Sequence, residues 1–173
     1  MRAPLEADRL QFEGSLEYFY GLGVGRHLPW KKIKYIRSRK SQRLKRVLVG
    51  DLPLATIRED GSIAYTLECA KYLLKSRQFR KSCIVVNDDA AEFVVKGKSL
   101  FAKHVIKVGS NVKVGLDVCL LNEKGKLLAV GKATLPAPYM TTFKAGAAVR
   151  VREGLFTRKG KDLNSSEGEA EQD

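Results

Sequence analysis

At 173 residues and 44% apolar content the chain is long enough to bury a sizeable core, which excludes wholesale disorder. It carries a formal charge of +13 and a pI near 9.8, which points toward a polyanionic partner. No apolar run approaches the ~18 residues that span a bilayer, Glu6 and Asp8 spoil a signal-peptide layout, and Cys69, Cys83 and Cys119 stand singly, without the paired spacing of disulfides or zinc ligands. The expectation is a soluble, cytoplasmic protein with no membrane partner, no metal and no cofactor.

From Pro4 to Tyr20, Leu5, Leu10, Phe12, Leu16 and Phe19 recur at roughly helical intervals. Gly14 interrupts them, so two short helices are expected rather than one. Gly21, Gly23 and Gly25 follow in GLGVG. A dinucleotide-binding loop needs a strand before such glycines and a helix after them. Here an aromatic helical segment precedes and Pro29 follows, so a plain glycine turn is the reading. Trp30 either anchors that turn or offers a stacking face to an unpaired base.

Three extended runs come next, IKYIRS, RLKRVLVG and LPLATIRE, with Arg-Lys-Ser-Gln, Gly50-Asp51 and Glu59-Asp60-Gly61 as breaks. They predict a small antiparallel meander. Superimposed on it is the densest charge in the chain. Lys31, Lys32, Lys34, Arg37, Arg39, Lys40, Arg43, Lys45 and Arg46 are nine bases in sixteen residues, with no acid among them. Four or five such charges would be an ordinary solvated face. Nine without compensation match a phosphate backbone, where each neutralised phosphate releases condensed counterions. The excess is heavier in the first part: residues 1–81 hold eighteen bases against eight acids, and residues 82–154 eleven against six. Thr66 to Arg77 then puts Leu67, Ala70, Leu73 and Leu74 on one face, with Thr66 or Glu68 at its start and Lys75 and Arg77 at its end. This is a capped amphipathic helix packing on the meander.

The second half opens with a strand at Cys83–Val86. Asn87, Asp88 or Asp89 then caps a helix from Ala90 to Val95 that stops at Gly97. Strands are expected at Leu100–Ile106, Asp117–Leu121, Lys126–Leu135 and Ala147–Val151. Turns fall at Asn111 with Gly115 and at Glu123-Lys124-Gly125, and an irregular crossover at Pro136 and Pro138. These short strands around one short helix describe a compact barrel of about seventy residues. From Leu155 to Asp173 the sign reverses, with five acids against three bases, and this stretch is expected to be a disordered acidic tail. No catalytic constellation emerges. His104 has only a distant His27 for company and reads as a strand-end histidine that packs or contacts phosphate. Asp88 and Asp89 read as capping residues, not a carboxylate pair.

Three segments together are more specific. VVNDDAAEFVVKGKSLFAKHVI, VGLDVCLLNEKGKLLAVGKATL and MTTFKAGAAVRVREG, in that order from about Ser82 to Gly154, closely resemble the PUA domain, an RNA-binding module. Upstream, GLGVGRHL, IKYIRSRKSQRLKRV and LATIREDGSIAYTLECAKYLL resemble the accessory region that precedes the PUA domain in archaeal tRNA-guanine transglycosylases. The resemblance implies an α+β chain with an accessory unit over residues 1–80, a PUA barrel over residues 81–154 and the tail over 155–173. It also implies an RNA surface at Lys96, Gly97, Lys98, Ser99, Leu100, Phe101 and Lys103, with Ala148, Val149, Arg150 and Arg152 opposite. The residue chemistry agrees in part: Gly97 lets backbone approach a ligand, the lysines supply charge and Ser99 a hydrogen bond. Phe101, flanked by Leu100 and Ala102, is expected to point into the core.

The family's catalytic barrel, aspartate nucleophile and cysteine-histidine zinc site have no counterpart in these residues, so catalysis is not expected. The implied partner is RNA, tRNA first, in connection with tRNA modification. Ribosomal RNA during ribosome assembly is the alternative, as is service as the targeting subunit of a separate RNA-modifying enzyme.

Overall fold

The computed structural model describes residues 4–157, and the expected tail from residue 158 onward lies outside them. Helix α1 (Pro4–Tyr20) leads into a four-stranded antiparallel meander, β1 (Ile33–Arg37), β2 (Leu44–Val49), β3 (Leu52–Ile57) and β4 (Ile63–Tyr65), followed by α2 (Leu67–Leu73). The remaining strands are β5 (Cys83–Val86), β6 (Leu100–Phe101), β7 (Val105–Val108), β8 (Asp117–Leu121), β9 (Leu127–Ala133) and β10 (Ala147–Gly154). They form a second sheet in the order β6-β10-β9-β8-β5-β7, with α3 (Asp88–Val94) and α4 (Ala137–Thr142) against it. β5 and β8 run parallel and the other pairs antiparallel. The edge strands β6 and β7 are joined by a single 3-10 turn, Ala102–His104, so the sheet curls into a nearly closed barrel. The α+β class with meander and barrel is as expected.

Several local expectations are corrected. Gly14 does not split α1. It sits on the exposed side, with nothing within 4 Å of a Cβ placed there. Its cost of about 1 kcal/mol is outweighed by Phe12, Leu16 and Tyr20, which are almost wholly buried on the opposite face. The expected strand Leu100–Ile106 is broken by the 3-10 turn, because the chain must pass from one sheet edge to the other. The Pro136–Pro138 crossover is a short helix, α4, pinned by the fully buried Met140. Proline is tolerated there because a first-turn N–H has no helical partner to lose. Leu155, placed in the tail by composition, packs against both core clusters, and Phe156 N–H donates to Val95 O at 2.8 Å.

The helix ends are as expected from local chemistry. Thr66 Oγ1 accepts from Cys69 N–H at 3.3 Å, Asn87 Oδ1 accepts from Ala90 N–H at 3.0 Å, and Gly97 reverses the chain at φ 85°.

The two sheets share a wall. β8 is buried along its whole length. Val118 and Leu120 face the barrel interior, while Cys119 and Leu121 join the core beneath α1 and the meander. A strand buried on both faces has no polar alternation, which is why it reads as one apolar run. In the shared core Tyr20, Tyr65 and Phe79 meet edge to face with centroids 5.5–5.6 Å apart. Asp117, fully buried at the start of β8, accepts from Arg58 Nη2 at 2.6 Å and from Arg152 Nη2. Arg152 Nη2 also donates to Tyr65 O at 2.6 Å, Leu67 N–H donates to Glu153 Oε2 at 3.1 Å, and Asn111 Nδ2 donates to Phe19 O at 3.0 Å. Arg58–Asp117, Arg152–Tyr65, Leu67–Glu153 and Asn111–Phe19 each join the meander half to the barrel half, whereas Arg152–Asp117 lies within the barrel.

Candidate nucleic-acid interface

On the meander, β1 and β2 present a cationic outer face. Register pairs Lys34 with Leu48 and Ile36 with Arg46, and Arg46 in turn with Thr56. A register shift at Lys45 lets Leu44 and Val47 both point inward while Lys45 and Arg46 stay exposed. The β1–β2 turn is held by Ser38 N–H on Arg43 O at 2.8 Å and Gln42 N–H on Ser38 O at 2.9 Å, with Gln42 at φ 56°. That closure lifts Arg39, Lys40 and Arg43 to an exposed tip. Lys31 and Lys32 lie exposed on the 3-10 turn before β1. Beside the tip an open groove of about 490 Å³ runs between Ser38, Ser41 and Arg43 on one side and Arg58, Glu59 and Gly61 on the other.

Arg37 departs from its eight neighbours. Its guanidinium is clamped on Asp8, Nε at 3.0 Å from Oδ1 and Nη2 at 2.7 Å from Oδ1. Asp8 is only 4% exposed, so Arg37 ties α1 to the sheet. The same hydrogen bond, donated to the Asp8 carboxylate, holds the Arg37 guanidinium pKa above its ordinary value. Trp30 is likewise structural. Its Nε1 donates to Gly25 O at 3.0 Å, its ring meets the edge of Phe12, and Arg9 lies 5.0 Å over its face.

On the barrel a second groove, about 400 Å³, opens between α3 and the β6 edge. Ala90 and Val94 form its apolar floor with Leu100, and Lys98, Ser99, Lys103 and His104 its polar rim. Lys98 N–H donates to Phe93 O at 3.1 Å and Asn87 N–H to His104 O at 3.0 Å, so both rims are held by main chain. Two rings enter this groove: Phe93 is 57% exposed and Phe101 49%. Phe101 therefore does not point into the core. Strand alternation gives the interior to Leu100, 1% exposed, and turns the next side chain outward. The sequence reading does not single out Phe93, although a signal for it exists. Ala90 and Val94, four residues apart, define the buried face of α3, and Phe93 lies off it.

The other barrel positions separate clearly. Lys96 and Lys98 are exposed beside Gly97. The side chains of Leu100, Ala148 and Val149 are buried, leaving only their main chain for any ligand. Arg152 is committed to Asp117 and Tyr65 O and serves the seam between halves. Arg150 is exposed and sits directly across from Lys132. Like charges facing each other across a ladder are unfavourable, and Lys132 has Asp117 as its register partner on the other side. The groove can offer ring faces for stacking, ammonium groups for an anion and a hydroxyl for hydrogen bonding. No group of three or more His, Cys, Asp or Glu suited to a metal occurs among the described residues. The three thiols are buried, and burial pushes Cys69 and Cys119 above their ordinary values, which makes them inert. No helix among the described residues is long and apolar enough to cross a membrane.

Comparison with known proteins converges on the same two regions. Residues 15–79 match the patch-forming domain C2 of tRNA-guanine transglycosylase, and residues 83–155 match the PUA domain. The chain is 34% identical over 140 residues to the tRNA-guanine(15) transglycosylase of Methanobrevibacter smithii, covering 80% of this chain and 21% of the relative. It is 34% identical over 157 residues to that of Methanocaldococcus jannaschii, covering 90% and 24%. It thus spans between a fifth and a quarter of the length of these relatives. Among solved structures, a hypothetical protein from Pyrococcus horikoshii superposes with a TM-score of 0.67 at 24% identity, covering 86% of this chain and 90% of that one. A conserved PUA domain protein from Thermoplasma acidophilum gives 0.56 at 19% identity, covering 86% and 88%. Both share the fold. The chain carries a patch-forming C2 domain followed by a PUA domain, and over most of its length it resembles the C-terminal region of archaeal tRNA-guanine(15) transglycosylase.

Proposed function

We propose that this protein is a noncatalytic, cytoplasmic RNA-binding protein that grips tRNA in connection with its modification. Residues 1–80 act as a basic accessory domain and residues 81–154 as the PUA domain. The meander face holds phosphates of a folded RNA through Lys34, Arg39, Lys40, Arg43, Lys45 and Arg46. The barrel groove takes unpaired nucleotides near the end of a stem. A-form RNA offers side chains mostly shape, phosphates and 2′-hydroxyls, so base contacts are confined to unpaired positions.

The observation that carries this reading is the groove around Phe93 and Phe101. Two half-exposed rings rimmed by Lys98, Lys103 and Ser99 suit a stacked base beside its phosphate. A second reading, the targeting subunit of a separate RNA-modifying enzyme, is supported by the 34% identity to tRNA-guanine(15) transglycosylases over most of this chain. It predicts a stable complex with a catalytic protein.

The test is a salt titration of binding to total tRNA, with and without its 3′-terminal CCA, against double-stranded DNA as competitor. Preference for intact tRNA, weakened by trimming, is the expected result. Equal and steeply salt-dependent binding to every polyanion would leave a generic basic surface and refute the tRNA reading.

A further inference from the structure

Beyond the groove, the barrel carries a second pair of exposed rings. Tyr139 and Phe143 are 49% and 47% exposed, with centroids 5.0 Å apart and planes inclined by 30°. They are displayed by α4 and its C-terminal cap, where Phe143 N–H donates to Tyr139 O at 2.9 Å, and Met140 between them anchors the helix in the core.

α4 packs against the Ala102–His104 turn, the turn that supplies Lys103 and His104 to the groove's rim. After Phe143 the chain passes Lys144 and reaches Gly146, whose O accepts from Ala102 N–H at 3.0 Å. Ala147 then pairs with Phe101 itself. The two ring pairs are thus linked through one turn and one strand pairing.

The charge beside α4 is basic: Lys103 lies on the turn and Lys107 on the strand that α4 packs against, and Lys144 follows Phe143, while the acids Asp88, Asp89 and Glu92 lie on α3. Between Phe93 and Leu116 the chain holds five lysines and no acid, and from Lys124 to Arg152 six bases and no acid. An apolar protein partner needs no such field. A strand of unpaired nucleotides needs both ring faces and ammonium groups.

We propose that Tyr139 and Phe143 form a stacking platform that continues the groove, so that the barrel binds a single-stranded RNA end several nucleotides long. This rests on the RNA-binding reading of the barrel and adds to it a second set of stacking residues outside the groove.

The test uses the full chain and an RNA hairpin that is blunt or carries four unpaired 3′ nucleotides, with 2-aminopurine placed at each overhang position in turn. Wild type binds the overhang hairpin more tightly, and its fluorescence is quenched at more than one position. Tyr139→Ala with Phe143→Ala loses quenching at some positions but not all, and weakens overhang binding at least about fivefold while leaving blunt binding unchanged. Tyr139→Leu with Phe143→Leu, which keeps a bulky apolar side chain but no ring, behaves as the alanine pair does, and Tyr139→Phe retains binding. If the double variants bind the overhang like wild type while Lys98→Ala with Lys103→Ala loses it, the platform is refuted and the groove stands. If wild type does not distinguish overhang from blunt end, the barrel reading and the platform fall together. If wild type sediments as a dimer that the leucine pair dissociates, the rings cover a second copy and the proposal is overturned.

Discussion

Asp117→Asn removes one charge from the seam while keeping side-chain volume. The native carboxylate is fully buried and receives two charge-assisted hydrogen bonds, from Arg58 and Arg152. At about 1.5–3 kcal/mol each, their gross contribution is about 3–6 kcal/mol. Two features reduce the loss. The amide keeps a carbonyl acceptor for one arginine, and the side chains of Arg58 and Arg152 are 25% and 36% exposed, so both guanidiniums regain water. The expected net loss is about 2–4 kcal/mol, below the upper end for an ion left buried and unpaired. For a chain of this size that lowers Tm by about 4–16 °C. Urea unfolding followed by far-UV circular dichroism and by Trp30 fluorescence measures it, and wild type should unfold in one coincident transition. Arg58→Met and the double variant complete a cycle across the seam. If the carboxylate couples the halves, the double variant loses less than the sum of the singles by more than about 1 kcal/mol. Additive losses, or a single-variant loss under about 0.5 kcal/mol, would refute the reasoning.

Replacing Lys98 and Lys103 with Ala should weaken RNA binding and flatten the slope of log affinity against log salt by about 1–2 units, with Tm unchanged because both side chains are exposed; an unaltered slope would remove them from the phosphate path. Gly131→Ala places a Cβ against Arg150 O and the Val151 Cα of the neighbouring strand. Since main chain must move, a loss of about 2–3 kcal/mol is expected, and a wild-type urea midpoint would contradict it. Burial holds Tyr20, Tyr65, Cys69 and Cys119 above their ordinary values. Raised groups of this type stabilise the fold below the unfolded values, about 8.5 for thiols and 10 for phenols. As pH climbs past those values the unfolded chain ionises first, and stability falls by about 1.4 kcal/mol per pH unit for each group. The urea midpoint should therefore drop steeply above about pH 9, and a flat profile to about pH 11 would show these groups titrating in the native state.

Local features of the fold are legible from residue order. Thr66, Asn87 and Gly97 act at helix ends through atoms within a few positions of themselves. The meander runs show apolar alternation and turn residues at their breaks. Expectation and structure part where distant packing overrides a local signal. Gly14 marks a break only if the helix must stand on its own propensity, and α1 instead rests on the buried Phe12, Leu16 and Tyr20. Leu100–Ile106 reads as one strand because β-propensity has no term for closing a barrel edge. At the site, charge is legible and availability is not: nothing in the sequence distinguishes Arg37 from Arg39, yet one is held by Asp8 and the other stands exposed at the turn.

Surface charge, the alternation of the meander strands and the order of two recognisable regions follow from residue order alone, since composition, period and motif are properties of the chain. Which cations remain available, which rings face solvent and how the halves join were settled by the assembled fold. Asp117 is 59 residues from Arg58 and 35 from Arg152, and Phe101 is exposed because β10 and the α3 edge leave that side of β6 open. Such outcomes depend on which distant surfaces meet, and a side chain's burial and pairing take their values only once those surfaces are in contact.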